Sequence, residues 1–353
     1  MINRAKKILG AAILVLAVMA GSSLPGCGGC GGGKAPLAFA PKDAVLVLIV
    51  PGVTDALTGI KAFFDRFKDN PLVGAGVQQK KAQVVRELGF DPEKPESLKK
   101  IGIDPARGLV AHLAADGKSG AVALGVSDGA ALEKYIAATA KRQSGVEVEF
   151  RPKEVDGLKI KEVAFKGSSR AVGAYAIIKG KTFVFCAEAS DGKHAEYLAK
   201  LVKQSGDIGD NKDFVRLSKQ VGKHQALLFI SGDGARKLSK TDAESRLKGA
   251  SKYMEKYIKE QQETESAMLA HFHGAAVGLT ITGKRAALRS YIAVPDEQAK
   301  KLATLLKGKG DAPEFGKFVG PDALMVGRVT LNAKMVKDKV LESISPRRKR
   351  RIY

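Results

Sequence analysis

Tryptophan is absent from this chain of 353 residues, which holds three cysteines and 6% aromatic residues. So few rings argue against a single-stranded nucleic-acid platform, on which bases stack, and against a sugar site built from stacked rings. Three cysteines are too few for a fold that is stabilised by several disulfides. Beyond the N-terminal segment, no apolar run approaches the roughly 20 residues that a membrane-spanning helix needs.

Catalytic and nucleotide-binding motifs are missing as well. Gly180–Thr182 reads Gly-Lys-Thr, the end of a phosphate-binding loop, but Tyr175 stands where that loop needs a glycine. Two glycine pairs, at 74–76 and 308–310, lack the third glycine of a dinucleotide fingerprint. No G-x-S-x-G nucleophile elbow occurs. We therefore expect no catalytic residues and no cofactor, with an enzyme of unrecognised residues as an alternative.

The best metal-ligand candidates are His271 and His273, which flank Phe272. On a strand, residues two apart share a face, so both imidazoles could reach one ion. A third ligand is not identifiable, and solvent-facing histidines around a buried Phe272 fit the same pattern. Since two ligands do not make a metal site, we predict none here.

The N-terminus has the order of a secretory signal. Met1–Lys7 is basic, and Ile8–Ala20 is uncharged and apolar. Leu24–Cys27, Leu-Pro-Gly-Cys, resembles the bacterial lipobox, whose cysteine receives the lipid. We therefore predict a lipoprotein signal peptide over residues 1–26 and lipid attachment at Cys27. Ordinary secretion, with cleavage near Ala38–Ala40, is the alternative.

A glycine-rich stretch follows the predicted cleavage site and predicts a flexible tether over residues 27–41. Cys27 and Cys30 spell C-x-x-C, but their glycine neighbours give no fixed geometry for a metal or redox site. Cys186 stands in the apolar run Thr182–Ala187, where we expect a buried small hydrophobe.

Basic residues dominate the charge: 59 Lys and Arg stand against 37 Asp and Glu, for a formal net charge of +22. The densest block is Arg347–Arg351, within a segment, 343–353, that we predict to be a disordered basic tail. Such a balance favours anionic partners. For an exported protein these are anionic lipids, lipopolysaccharide or acidic glycans rather than nucleic acid. The alternative is that the lysines serve solubility alone.

Two kinds of unit recur along the chain. A buried strand followed by a helix appears at 43–50, 225–230 and 322–329, and a hairpin followed by a helix begins at 109, 171 and 275. Glycines at the turns, as in Asp116-Gly117 and Asp156-Gly157, are typical of antiparallel hairpins. These patterns predict an α+β fold: antiparallel sheets with helices packed against them, in two related halves over 43–205 and 206–342. Because no hairpin follows the third strand, at 322–329, we expect either an early end of the chain or a partner strand.

The second half also contains a predicted long helix over 242–270. Thr241 with Glu244 fits a capping box at its start. We favour a helix that packs on a sheet through a narrow apolar stripe; a partner-binding helix is the alternative. The stripe consists of Leu247, Tyr253, Met254, Tyr257 and Ile258.

Three segments carry a family resemblance: Pro41–Ala44 before a strand, Leu88–Pro92 after two helices, and Ser97–Gly108 before a hairpin. Together they resemble a group of uncharacterised Gram-negative envelope lipoproteins that carry a domain of unknown function. The likeness covers most of residues 41–340 and rests on structural motifs, so it supplies no catalytic residues. It implies a lipid-anchored protein of the bacterial envelope, at the outer membrane.

The sequence as a whole therefore predicts a non-catalytic binding or scaffolding body on a lipid anchor. The alternative from a different class is a carrier or sensor of amphipathic ligands, with a cavity between sheet and helices.

Overall fold

In the computed structural model, the described residues are 36–70, 74–91, 93–188, 192–282, 286–295, 297 and 300. Those up to Ala293 belong to one compact unit, and Val294–Tyr353 form a second, which is described only at a few positions. Four predictions fall outside the described residues: the signal peptide, lipidation at Cys27, the strand at 322–329 and the tail at 343–353.

One ten-stranded sheet is the centre of the molecule, with the strand order β10-β9-β8-β1-β2-β3-β7-β6-β5-β4. Each pair of neighbours is antiparallel. The strands are β1 Leu46–Val50, β2 Leu109–Leu113, β3 Gly120–Gly125, β4 Val148–Val155, β5 Leu158–Phe165, β6 Ala171–Ile178, β7 Thr182–Glu188, β8 Ala226–Ser231, β9 Gly274–Ile281 and β10 Ala286–Ala293.

This architecture confirms the predicted α+β class with antiparallel strands, and it joins strands of both predicted halves in a single sheet. The junction is β1, where Leu48 lies opposite Ala111 of β2 on one side and Leu228 of β8 on the other. The division into two related halves stays a prediction.

Eight helices flank the sheet in the described part of the chain. They are α1 Val53–Phe64, α2 Gly74–Leu88, α3 Pro95–Lys100, α4 Gly129–Ser144, α5 His194–Lys203, α6 Lys212–Val221, α7 Gly232–Leu247 and α8 Lys252–Leu269. Asp128 begins α4 as expected of an N-cap, because its carboxylate accepts from the backbone N–H groups of Ala130 and Ala131.

Successive side chains of a strand point to opposite faces of the sheet. Both faces of the central strands are buried because helices pack on each of them. On one face, Leu57 of α1, Leu88 of α2 and Leu132 of α4 join a core rich in large rings from β6 and β7. On the other face, α5 packs on small strand residues, and α6 packs on β1 and β8. The small residues are Ala121, Ala123, Ala174, Ala176 and Cys186.

Three of the predicted hairpin turns are present in the described residues. Gly117, Gly157 and Gly180 adopt positive φ angles at the β2–β3, β4–β5 and β6–β7 turns. Glycine tolerates this left-handed conformation without the strain that a Cβ would bring. Local turn chemistry thus sets these connections.

The predicted tether over 27–41 is wrong for its last residues. Pro36–Phe39 form a turn of 3₁₀ helix, and Phe39 and Ala40 are 1% and 0% exposed. The Ala40 carbonyl also accepts from the backbone N–H of Ile208 at 2.8 Å. The apolar side chain of Phe39 contributes to the difference, because its burial is worth roughly 1.5–3 kcal/mol and offsets part of the cost of ordering the segment.

The predicted single helix over 242–270 is wrong too, because the structure has two. Helix α7 begins earlier, at the N-cap Ser231, and runs through Thr241, so no capping box starts there. The helix is interrupted between α7 and α8, where Gly249 has a φ of 84° and Ser251 caps α8. A left-handed glycine followed by a serine cap ends one helix and begins the next.

Candidate functional site

The two histidines considered as metal ligands do not have the geometry that a shared metal ion would require. His271 and His273 are exposed in the turn between α8 and β9, on either side of a half-buried Phe272. The strand begins at Gly274, after the pair, so the two imidazoles do not occupy alternate positions of a strand. Among the described residues, no group of three or more His, Cys, Asp or Glu is placed to hold a metal ion.

The Gly-Lys-Thr tripeptide at 180–182 lies at a tight hairpin turn. Lys179 and Gly180 have φ angles of 50° and 67°, and Thr182 opens β7. A phosphate-binding loop leads from a strand into a helix, whereas this turn leads into another strand. Cys186, further along β7, is 0% exposed, which confirms the expected buried small side chain.

A polar pair, the buried His112 and the half-buried Tyr197, joins the sheet to a helix. His112 lies on β2, Tyr197 lies on α5, and the imidazole Nε2 is 2.8 Å from the phenol oxygen. Sequence reasoning missed this pair because the two residues are 85 positions apart and neither belongs to a local motif.

Burial controls the charge state of this pair. It lowers the pKa of His112 to about 4 and raises the pKa of Tyr197 above its ordinary value. Both side chains are therefore neutral near pH 7. A neutral hydrogen bond between α5 and β2 fits a structural role better than general acid–base catalysis, which works best with a pKa near the operating pH.

Among the described residues, large hydrophobic side chains are exposed on β10, at Leu288 and Ile292, and on a helical hairpin formed by α7 and α8. Its base is well connected: Arg236 of α7 donates to the carbonyls of Leu269 and Phe272, at 2.8 and 2.7 Å. Further along, the Arg246 guanidinium donates to the Gln261 side chain at 3.1 Å. These bonds hold the two helices antiparallel.

The tip of this hairpin, residues 247–260, carries three large side chains that face solvent. Tyr253 is 83% exposed, Met254 43% and Tyr257 50%. Residues three and four apart are neighbours on a helix surface, so the three side chains form one patch. The prediction that this stripe packs on a sheet is wrong, because three of its five members face solvent. Of the other two, Ile258 is buried and Leu247 is half-buried.

Lysines surround the patch. Lys248, Lys252, Lys256 and Lys259 are all exposed. No ion pair ties any of them to a carboxylate elsewhere in the described residues. The tip therefore combines aromatic and thioether surface with four lysines that form no ion pair in the described part of the chain, and with Glu255 and Glu260 its formal net charge is +2 (4 Lys − 2 Glu).

Three lysines on the first predicted half are engaged in ion pairs. Lys141 and Lys166 approach Glu147 at 2.8 and 2.9 Å, and their hydrogen bonds lower the pKa of that carboxyl to about 2. Lys153 bridges Glu162 and Glu196 at 2.8 and 3.1 Å. Exposed pairs of this kind add little stability, but they neutralise local charge. The lysines of the hairpin tip lack such pairing among the described residues, so the tip is a candidate for an anion-binding surface.

Comparisons with known proteins add little. No family model matches this chain, and no curated protein matches it. Solved structures with some likeness include crystal forms I, III and IV of a protein named TP0453, at 12–14% sequence identity and TM-scores of 0.35–0.36. The matches cover 74–88% of this chain and 81–98% of the other. Likeness at this level carries no argument about function.

None of the described helices combines the length and the apolar character needed to cross a bilayer.

Proposed function

We propose that this protein is a lipoprotein of the bacterial envelope, anchored through Cys27 at the outer membrane, with a non-catalytic body that binds anionic envelope components. Anionic phospholipids, lipopolysaccharide and acidic glycans share the required chemistry. The observation that carries the proposal is the surplus of basic side chains, 59 against 37 acidic ones, together with the unpaired lysines at the hairpin tip.

Electrostatics gives this binding a clear signature. Each Lys or Arg close to an anionic membrane surface contributes about 1 kcal/mol, and the attraction decays over about 8 Å at physiological salt. Basic residues that face away from the surface do not contribute, so the formal charge overstates the effect. Binding should therefore be strong at low salt and fall steeply as salt rises.

The test is vesicle co-sedimentation with a soluble chain that begins at Lys34 and lacks the anchor. We expect it to sediment with vesicles that contain anionic phospholipid at low salt and to be released as salt increases. Vesicles of zwitterionic phospholipid are the matched control and should leave it in solution. Equal sedimentation with both vesicles, or indifference to salt, would show that the charge serves solubility alone.

A further inference from the structure

The α7–α8 hairpin leaves the sheet at the end where β1 begins. Helix α7 starts directly after β8, whose last residues lie opposite the first residues of β1. A Cβ on Gly234 would lie 2.6 Å from the Cα of Val45, and Lys237 Nζ is 4.0 Å from an Asp43 carboxylate oxygen. The base of the hairpin therefore packs against the residues just before β1.

The dimensions of this end allow the hairpin tip to reach a membrane surface. Eight residues separate Cys27 from Pro36, and a chain of that length spans at most about 29 Å. The 16 residues of α7 rise roughly 24 Å from the base of the hairpin to its tip. Because the tether at full extension exceeds the length of α7, an anchor in the bilayer does not prevent contact at the tip.

The side chains at the tip suit the boundary between headgroups and acyl chains. Tyrosine has an apolar body and a polar end, which favours membrane interfaces. Methionine is flexible and adapts to irregular apolar surroundings. Lysines beside them can place their charge among anionic headgroups while their methylene stems cover apolar surface.

We propose that the hairpin tip docks on the anionic phospholipid surface to which the lipid anchor attaches the protein. Tyr253, Met254 and Tyr257 enter the headgroup boundary, and Lys252 and Lys256 contact the phosphates. This inference rests on the proposed function and narrows it, because it assigns the binding to one surface. The tip then orients the body relative to the membrane, which a lipid on Cys27 alone does not do.

The absence of tryptophan allows a direct experiment. Tyr257→Trp places a single fluorophore at the tip of the full-length lipidated protein, reconstituted in vesicles of mixed anionic and zwitterionic phospholipid. Met268→Trp is the matched control, because Met268 lies on the same helix, is 67% exposed and is about 16 Å nearer the base. Brominated phospholipids in the same vesicles quench tryptophan that contacts the acyl region.

We expect a blue-shifted emission and strong quenching for Y257W, and neither for M268W. Replacing the anionic lipid by zwitterionic lipid should reduce the quenching of Y257W, although the anchor still holds the protein. Equal quenching at both positions, or none at either, overturns the proposal. A blue shift that follows protein concentration rather than lipid overturns it in favour of contact between two copies of the chain.

A second variant separates this inference from the proposed function. Tyr253→Ser, Met254→Ser and Tyr257→Ser together should weaken vesicle binding of the soluble chain by about tenfold or more, because the apolar contribution is lost. If the triple variant binds anionic vesicles as well as the parent and remains sensitive to salt, electrostatic binding stands and docking through the tip is refuted. If the parent does not bind at all, the proposed function itself fails.

Discussion

His112 makes the stability of the fold depend on pH in a way that can be calculated. The unfolded imidazole has a pKa of about 6.5, and burial lowers the pKa of His112 in the folded protein to about 4. Between these values the unfolded chain binds more protons than the folded one. The contribution of neutral His112 to the free energy of unfolding is therefore fully present above about pH 6.5 and is lost as the pH falls through this window.

The difference of roughly 2.5 pKa units corresponds to a loss of about 3 kcal/mol once the pH is below both values. About 2 kcal/mol of this should disappear between pH 7 and pH 5. His112→Gln keeps a group that can hydrogen-bond to Tyr197 but does not titrate, so its stability should change less over the same range. Urea unfolding followed by circular dichroism at several pH values measures the difference.

The matched control is His271→Gln, which changes an exposed histidine in a turn. It should retain the full pH dependence of the parent protein. If H112Q and the parent lose the same free energy of unfolding between pH 7 and pH 5, the buried neutral state of His112 is refuted.

Three further predictions concern the tail, the buried N-terminal segment and the hairpin break. Deleting Arg347–Arg351 should weaken binding of the soluble chain to anionic vesicles and flatten its salt dependence; unchanged co-sedimentation would exclude the tail from the binding surface. Phe39→Ala should lower the free energy of unfolding by about 3–5 kcal/mol in urea titrations, because Phe39 is fully buried; a loss below about 1 kcal/mol would mean that the segment is not part of the core. Gly249→Ala should cost about 1 kcal/mol from its left-handed backbone, although open space surrounds it, whereas Gly76→Ala within α2 should stabilise by up to about 1 kcal/mol. Thermal unfolding of both variants would contradict this account if their effects had the same sign.

Local chemistry made much of the fold predictable from the sequence. The pairs Asp116-Gly117 and Asp156-Gly157 specify hairpin turns because glycine tolerates the required φ, and the structure has both hairpins. The pairing of β1 with β8 joins residues about 180 positions apart, and no local pattern encodes it. The same limit applies to His112 and Tyr197, which meet only after the sheet and α5 have assembled.

The helical hairpin shows where a reasonable rule fails. Apolar residues at helical spacing usually face a core, and this led to the prediction that Tyr253, Met254 and Tyr257 are buried. Their exposure could not be derived from periodicity, since an interaction surface has the same spacing as a packed one. Gly249 and Ser251 were the available signal, because a glycine followed by a capping residue marks the boundary between two helices.

The central claim is the lipid anchor at Cys27, and fatty-acid labelling combined with fractionation tests it most directly. Cells that express the parent protein or Cys27→Ser are labelled with radioactive fatty acid, and their membranes are washed with high salt to remove electrostatic binding. The account predicts that the parent protein is labelled and stays with the membranes, whereas the variant is unlabelled and released. A variant that still carries the label and resists the wash would contradict it.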